Sequence, residues 1–173
     1  MKLITCTHAL HASAILDILN EAIVHSTAIY DYAPRPLSSM QGWFSAKQAG
    51  GYPVIGMESE AGELLGYATY GSFRAWAAYK YTAEHSVYVH HAHRGQGIGE
   101  QLMRALIELA RAQALHVLVG GLDAANQASI ALHRKLGFAH AGTVTQAGFK
   151  FGRWLDLAFY QLTLDTPASP ADG

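Results

Sequence analysis

The sequence predicts an α/β (α+β) fold, with a mixed sheet carrying helices on both faces, and three observations predict it. The chain has 173 residues, half of them apolar, enough for one substantial core and too few for two ordinary domains. Hydrophobic period changes along it: two helical stretches, an antiparallel hairpin, then a strand-helix-strand-helix-strand succession. Finally, Arg94-Gly95-Gln96-Gly97-Ile98-Gly99 lies between a strand and an amphipathic helix.

Leu3 to Cys6 reads as a first strand. Thr7 can cap a helix whose Leu10, Ile15, Leu19, Ala22 and Ile23 fall near one stripe. A second helix is expected over Ser39 to Ala49, ended by Gly50-Gly51. Val54 to Ser59 and Leu64 to Tyr70 form a hairpin that turns at Gly62, and the aromatic loop from Ser72 to Tyr81 leads into a strand from Glu84 to His90.

The next helix, about Ile98 to Gln113, is the clearest. Ile98, Leu102, Leu106, Leu109 and Ala110 make its buried side, and Glu100, Arg104, Glu108 and Arg111 alternate in sign along the wet side. A strand over His116 to Val119, a helix over Asn126 to Leu136 and strands over Phe138 to Thr143 and Arg153 to Leu164 complete a single domain, residues 1–164. Residues 165–173, rich in Pro, Ala and small polar side chains, are expected to form a disordered tail.

Twelve basic and thirteen acidic residues leave a net charge of -1 with no block of like sign, so nothing attracts nucleic acid or an anionic membrane in general. Without a long apolar leader segment or a membrane-length run, the cytoplasm is the default location. Cys6 is the only cysteine, which excludes an internal disulfide and reads as a small buried residue. His90, His91 and His93 alternate across a strand end, so no metal is expected there.

A strand that ends in glycines and turns into a helix offers several backbone N–H groups at the positive end of the helix dipole. A phosphate can sit there without a lysine. Gly95, Gly97 and Gly99 remove the side chains that would block its approach, and Arg94 adds charge at the rim. A dinucleotide fingerprint fails on spacing, and no Gly-Lys-Ser/Thr follows for a Walker loop.

What remains, Arg-x-x-Gly-x-Gly, resembles the phosphate loop of the GCN5-related N-acetyltransferase (GNAT) superfamily, whose sheet is mixed and mostly antiparallel. The string from Asn126 to Phe138 resembles that superfamily's Asn-containing helix. The resemblance implies that Arg94, Gly95, Gln96, Gly97, Ile98 and Gly99 hold the pyrophosphate of acetyl-CoA. It also implies that Val87, Tyr88 and Val89 line its pantetheine arm, and that the next strand diverges to admit the arm. Asn126 and Ser129 would touch that arm from the helix. An alternative for Asn126 stays open: it simply caps the helix.

Glu84-His85-Ser86-Val87-Tyr88-Val89, Leu132 to Phe138 and Lys150 to Leu157 resemble phosphinothricin and methionine sulfoximine acetyltransferases more narrowly. This implies a small amino acid substrate and a homodimer. Arg74, Ala75 and Trp76 then fall at substrate-binding positions, with Arg74 suited to a carboxylate. Glu84 becomes the candidate base and His133 the candidate proton donor, where many members carry a tyrosine. Structural readings of Arg74, Glu84 and His133 remain open beside these.

Overall fold

The computed structural model describes residues 1–172, which form seven strands and four α-helices. The strands are β1 (Lys2–Thr5), β2 (Val54–Glu58), β3 (Leu64–Ser72), β4 (Thr82–Val89), β5 (Val117–Asp123), β6 (Ala139–Lys150) and β7 (Arg153–Thr163). The helices are α1 (His8–His25), α2 (Ser39–Ala49), α3 (Ile98–Ala112) and α4 (Gln127–Lys135). The sheet order is β1-β2-β3-β4-β5-β7-β6, and β4 with β5 is its parallel pair. The chain packs as two compact units, Met1–Tyr70 with Ser86–Leu106, and Gly71–His85 with the segment from Ile107 onward.

In the first unit, β1 and β2 pair antiparallel from Lys2 with Glu58 to Thr5 with Ile55, and β2 pairs antiparallel with β3. Gly62, at φ +82°, makes the β2–β3 turn as expected. Cys6, Ala12, Ile15, Leu16, Ile18, Met40, Val54, Leu64 and Tyr67 form one cluster between helices and strands. Burial pushes the Cys6 thiol up to about 12, so it stays protonated and behaves as a small apolar side chain.

Two details of α1 differ from the sequence reading. Leu10 is 80% exposed, because five residues separate it from Ile15 and place it about 140° around the helix from the buried stripe. Ala12, Leu16 and Ile18 are buried instead. Thr7 takes the N-cap position without a side-chain capping bond; its N–H donates to His11 Nδ1 at 2.9 Å.

In the second unit, β4 pairs with β5 only through Thr82–Glu84 against Val117–Val119. β5 pairs along its whole length with β7, and β6 with β7. The β6–β7 connection is a two-residue turn in which Phe151 (φ 51°) and Gly152 (φ 73°) are both left-handed, the conformation a twisted hairpin needs. The segment after β7 has contacts of its own. Arg111 pairs with Asp165, the Thr166 hydroxyl donates to the Leu115 carbonyl, and Ala171 N–H donates to Tyr81 Oη at 3.2 Å.

Among the described residues, no helix is long and apolar enough to cross a membrane.

Candidate active site

The glycine-rich turn lies in the first unit. His91–His93 form one 3₁₀ turn after β4, and α3 begins at Ile98. Gly95 and Gly97 have φ +78° and +77°, which an L side chain rarely adopts, and nothing lies within 4 Å of where a Cβ would stand. Open space over left-handed glycines, leading into the N–H groups of a helix start, fits a phosphate group. Gln96 is exposed, while Ile98 is buried and anchors the turn to the core.

Arg94 is exposed at the rim, and its guanidinium is held by Glu21 of α1, Nη2 to Oε2 at 2.5 Å, and by the Val89 carbonyl at 3.3 Å. Glu21 carried no signal in the sequence, since 73 positions separate it from Arg94.

Val87, Tyr88 and Val89 are half-buried at the end of β4. The Tyr88 ring packs 5.5 Å from Tyr67. Gly66 on β3 lets the β4 backbone come close: a Cβ there would meet the Tyr88 carbonyl oxygen at 2.9 Å. Among the three histidines, His90 accepts a bond from Ala92 N–H and His93 faces Glu63 at 3.4 Å.

The second unit holds Glu84, His133, Arg74, Ala75, Trp76, Asn126 and Ser129. Glu84 is half-buried, and burial raises its carboxyl above the ordinary value while the Arg74 charge pulls it back. Arg74, Ala75 and Trp76 are exposed on the loop between β3 and β4. The Arg74 guanidinium donates to the Phe73 carbonyl at 2.8 Å and stacks 4.2 Å over the Phe73 ring.

Asn126 is the N-cap of α4, its Oδ1 accepting from Ser129 N–H at 3.1 Å. His133 is buried, with Nδ1 at 2.7 Å from the Ser129 carbonyl and Nε2 at 2.9 Å from His85 Nε2.

Two adjacent glycines of β5 sort these groups onto opposite faces. A Cβ on Gly121 would stand 3.3 Å from Glu84 Oε1, whereas one on Gly120 would collide with His85 Cε1 at 2.7 Å and His133 Nε2 at 3.0 Å. The structure therefore brings Arg74 into electrostatic reach of Glu84 and brings His133 to His85, but it keeps the carboxylate and the imidazoles on different sides of the sheet. His85 is the residue sequence reading passed over. Strand alternation around Glu84 places it on the inner face, and that was the available signal.

In the first unit a helix start is open to a phosphate-bearing ligand, and in the second Glu84 is a half-buried carboxylate with a raised pKa, the kind of group that serves as a general base. Comparison with known proteins makes this specific. Residues 14–138 match the Acetyltransferase (GNAT) family. The chain is 51% identical over 155 residues, 90% of both chains, to an L-methionine sulfoximine/L-methionine sulfone acetyltransferase of Pseudomonas paraeruginosa. It is 46% identical to one of the same description from Salmonella typhimurium, covering 91% of this chain and 92% of that one. A crystal structure of a phosphinothricin acetyltransferase from Sinorhizobium meliloti in complex with acetyl-CoA superposes with a TM-score of 0.93 at 34% identity, covering 98% of this chain and 91% of that one. The protein belongs to the GNAT family of acetyltransferases; it is an N-acetyltransferase, and acetyl-CoA is its co-substrate.

Proposed function

We propose that this enzyme acetylates the α-amino group of a small amino acid analogue, methionine sulfoximine, methionine sulfone or phosphinothricin, by direct attack of the amine on the thioester in a ternary complex. The observation that carries this reading is Glu84, a half-buried carboxylate with a raised pKa on the Gly121 face of the sheet, influenced by the one guanidinium expected at the substrate. The names of the relatives support the choice of acceptor.

The chemistry asks little of the protein. An α-amino group with a pKa near 8 is about one-tenth neutral at pH 7, so losing its proton costs ~1.4 kcal/mol. Glu84, directly or through a water, takes the ammonium proton, and the neutral nitrogen then attacks the thioester carbon. Backbone N–H groups from Val87 to Val89 stabilise the oxyanion. The carbon–sulfur bond then breaks and the sulfur leaves as a thiolate, which takes up the proton given up by the new amide nitrogen; a thiol pKa of about 8.5 makes it a good leaving group without a dedicated donor.

Arg94 to Gly99 anchor the pyrophosphate, Asn126 and Ser129 meet the cofactor arm, and Arg74, Ala75 and Trp76 receive the acceptor, with Arg74 on its carboxylate. Residues 1–164 act as one catalytic domain, in a cytoplasmic homodimer.

Release of free thiol from acetyl-CoA, followed over a panel of amines, tests the reading. Fast release with methionine sulfoximine, methionine sulfone or phosphinothricin is the expected result. Silence from these with turnover of peptide N-termini or polyamines refutes the acceptor, and binding without any transfer refutes the reaction.

A further inference from the structure

The His85–His133 pair lies outside the chemistry described for Glu84. The two Nε2 atoms are 2.9 Å apart, the ring centroids 5.1 Å apart, and the rings are inclined by 26°. His85 is 5% exposed and His133 1%. Phe138 packs edge-on to both, at 5.2 Å and 5.1 Å. Tyr160 lies 6.3 Å from His133, and His140 and Arg134 pack on the Tyr160 ring.

The acceptors fix the protons. A carbonyl can only accept, so His133 Nδ1 carries hydrogen and donates to Ser129. In the neutral ring His133 Nε2 is then a lone pair, and His85 must donate to it from its own Nε2–H. That leaves His85 Nδ1 as a bare lone pair, and this atom is buried with no hydrogen-bond partner among the described residues. The opposite tautomer of His85 would set two Nε2 lone pairs against each other at 2.9 Å with no hydrogen between them. A cationic ring would add a charge with no carboxylate against it. Burial, and for His85 the neighbouring His133, hold both rings below the ordinary histidine pKa, while the Val119 backbone pulls His85 the other way.

We propose that His85 is a positioning residue. It donates to His133 and fixes it as a neutral acceptor, and through the His133–Ser129 bond it sets the first turn of α4, which carries Asn126 and Ser129, on β4 and β5. The arrangement requires glycine at position 120, where any Cβ would fall between the rings. A direct consequence is that His133 has no hydrogen to give to a departing thiolate: Nδ1–H belongs to Ser129 and Nε2 receives the His85 proton. The effect on acyl-CoA rests on the reading that Asn126 and Ser129 meet the cofactor; the tautomers do not.

Two measurements on the full-length protein separate these parts. Nitrogen NMR of histidine-labelled wild-type enzyme should show, at pH 8, His133 protonated at Nδ1 only, His85 at Nε2 only and a coupling across the N–H···N bond, with His85 not titrating between about pH 8 and 5. Titration of His85 in that range, or hydrogen on His133 Nε2 at pH 8, overturns the pair. In steady-state kinetics, His85→Gln, His85→Phe and His133→Phe should each raise the KM for acetyl-CoA by about tenfold and change kcat by less than about threefold, with the double variant no worse than the worse single one. An unchanged KM refutes the positioning role even if the tautomers are as stated. A drop in kcat of about a hundredfold or more in His133→Phe, with KM unchanged, refutes it in favour of proton donation.

Discussion

Arg94 Nη2 lies 2.5 Å from Glu21 Oε2, so the cation at the rim of the phosphate turn is already matched by a carboxylate of α1. Half of the Arg94 side chain is exposed, which limits what the pair adds to stability to about 0–1 kcal/mol. Its larger effect is on the ligand: Glu21 offsets charge that a pyrophosphate would otherwise feel. Glu21→Gln should therefore tighten acetyl-CoA by about fivefold, the ~1 kcal/mol typical of a screened surface charge, and Arg94→Gln should weaken it by at least as much. Calorimetry at low and high salt checks this, because both effects should shrink as salt rises. Weaker binding by Glu21→Gln would mean that the carboxylate orients Arg94 rather than competing for it.

Glu84 predicts the acid side of the pH profile. Burial raises its pKa and Arg74 lowers it, and the base works only when ionised, so kcat/KM should fall as pH drops through the raised value. Removing the Arg74 charge takes away the opposing influence. Arg74→Gln should then move the acid limb to higher pH while also raising the KM for the amino acid. Glu84→Gln should lower kcat by about 10²–10⁴-fold and remove the carboxylate's contribution to the limb, leaving that of the substrate amine. Rate profiles of the three proteins on one substrate test the set, and an acid limb unmoved by Arg74→Gln would separate the two residues.

Gly120 and Gly121 allow a test of the two faces with one methyl group each. The Cβ of Gly120→Ala would meet His85 at 2.7 Å and His133 at 3.0 Å, both buried, so the sheet or α4 must shift. Overpacking of this kind costs about 1–3 kcal/mol, readable in urea denaturation. The Cβ of Gly121→Ala would stand 3.3 Å from the half-buried Glu84 carboxylate, which can give way. Its effect should fall on kcat, with less than about 1 kcal/mol on stability. Equal effects of both substitutions on stability and turnover would contradict the division.

Local pattern carried much of the fold. The bounds of α2, the start of α3 at Ile98 and the alternation that puts Glu84 opposite His85 all follow from residue period and glycine placement. The elements read too short are those where glycine and polar residues mask a strand. β5 continues through Gly120-Gly121 to Asp123, and β6 runs to Lys150 through register shifts around Val144 and Gly148. Such residues have weak strand propensity alone and are held by pairing with β7. The glycine-rich turn was legible because it is contiguous. Glu21 with Arg94 and His85 with His133 were not, because each pair is joined by tertiary packing over 73 and 48 positions.

The imidazole pair also predicts how the enzyme responds to acid. His85 has its pKa lowered from 6.5 to about 3 in the folded protein, and His133 is lowered too. Above about pH 6.5 both folded and unfolded chains leave these rings neutral, and the stability is fully present. As pH falls below that value the unfolded chain binds the protons and the folded one does not, so stability is lost progressively toward the folded values. Each such ring contributes a slope of ~1.4 kcal/mol per pH unit. Glu84 acts with the opposite sign, since its raised pKa lets the folded state bind a proton first and partly offsets the loss in its own range. Denaturation midpoints measured from pH 7 to 4 should fall steeply in the wild type. In His85→Phe the slope should be shallower by about one proton, whatever the change in stability at pH 7. A slope identical to wild type would mean that His85 titrates alike in both states and that the pair is not held neutral by the fold.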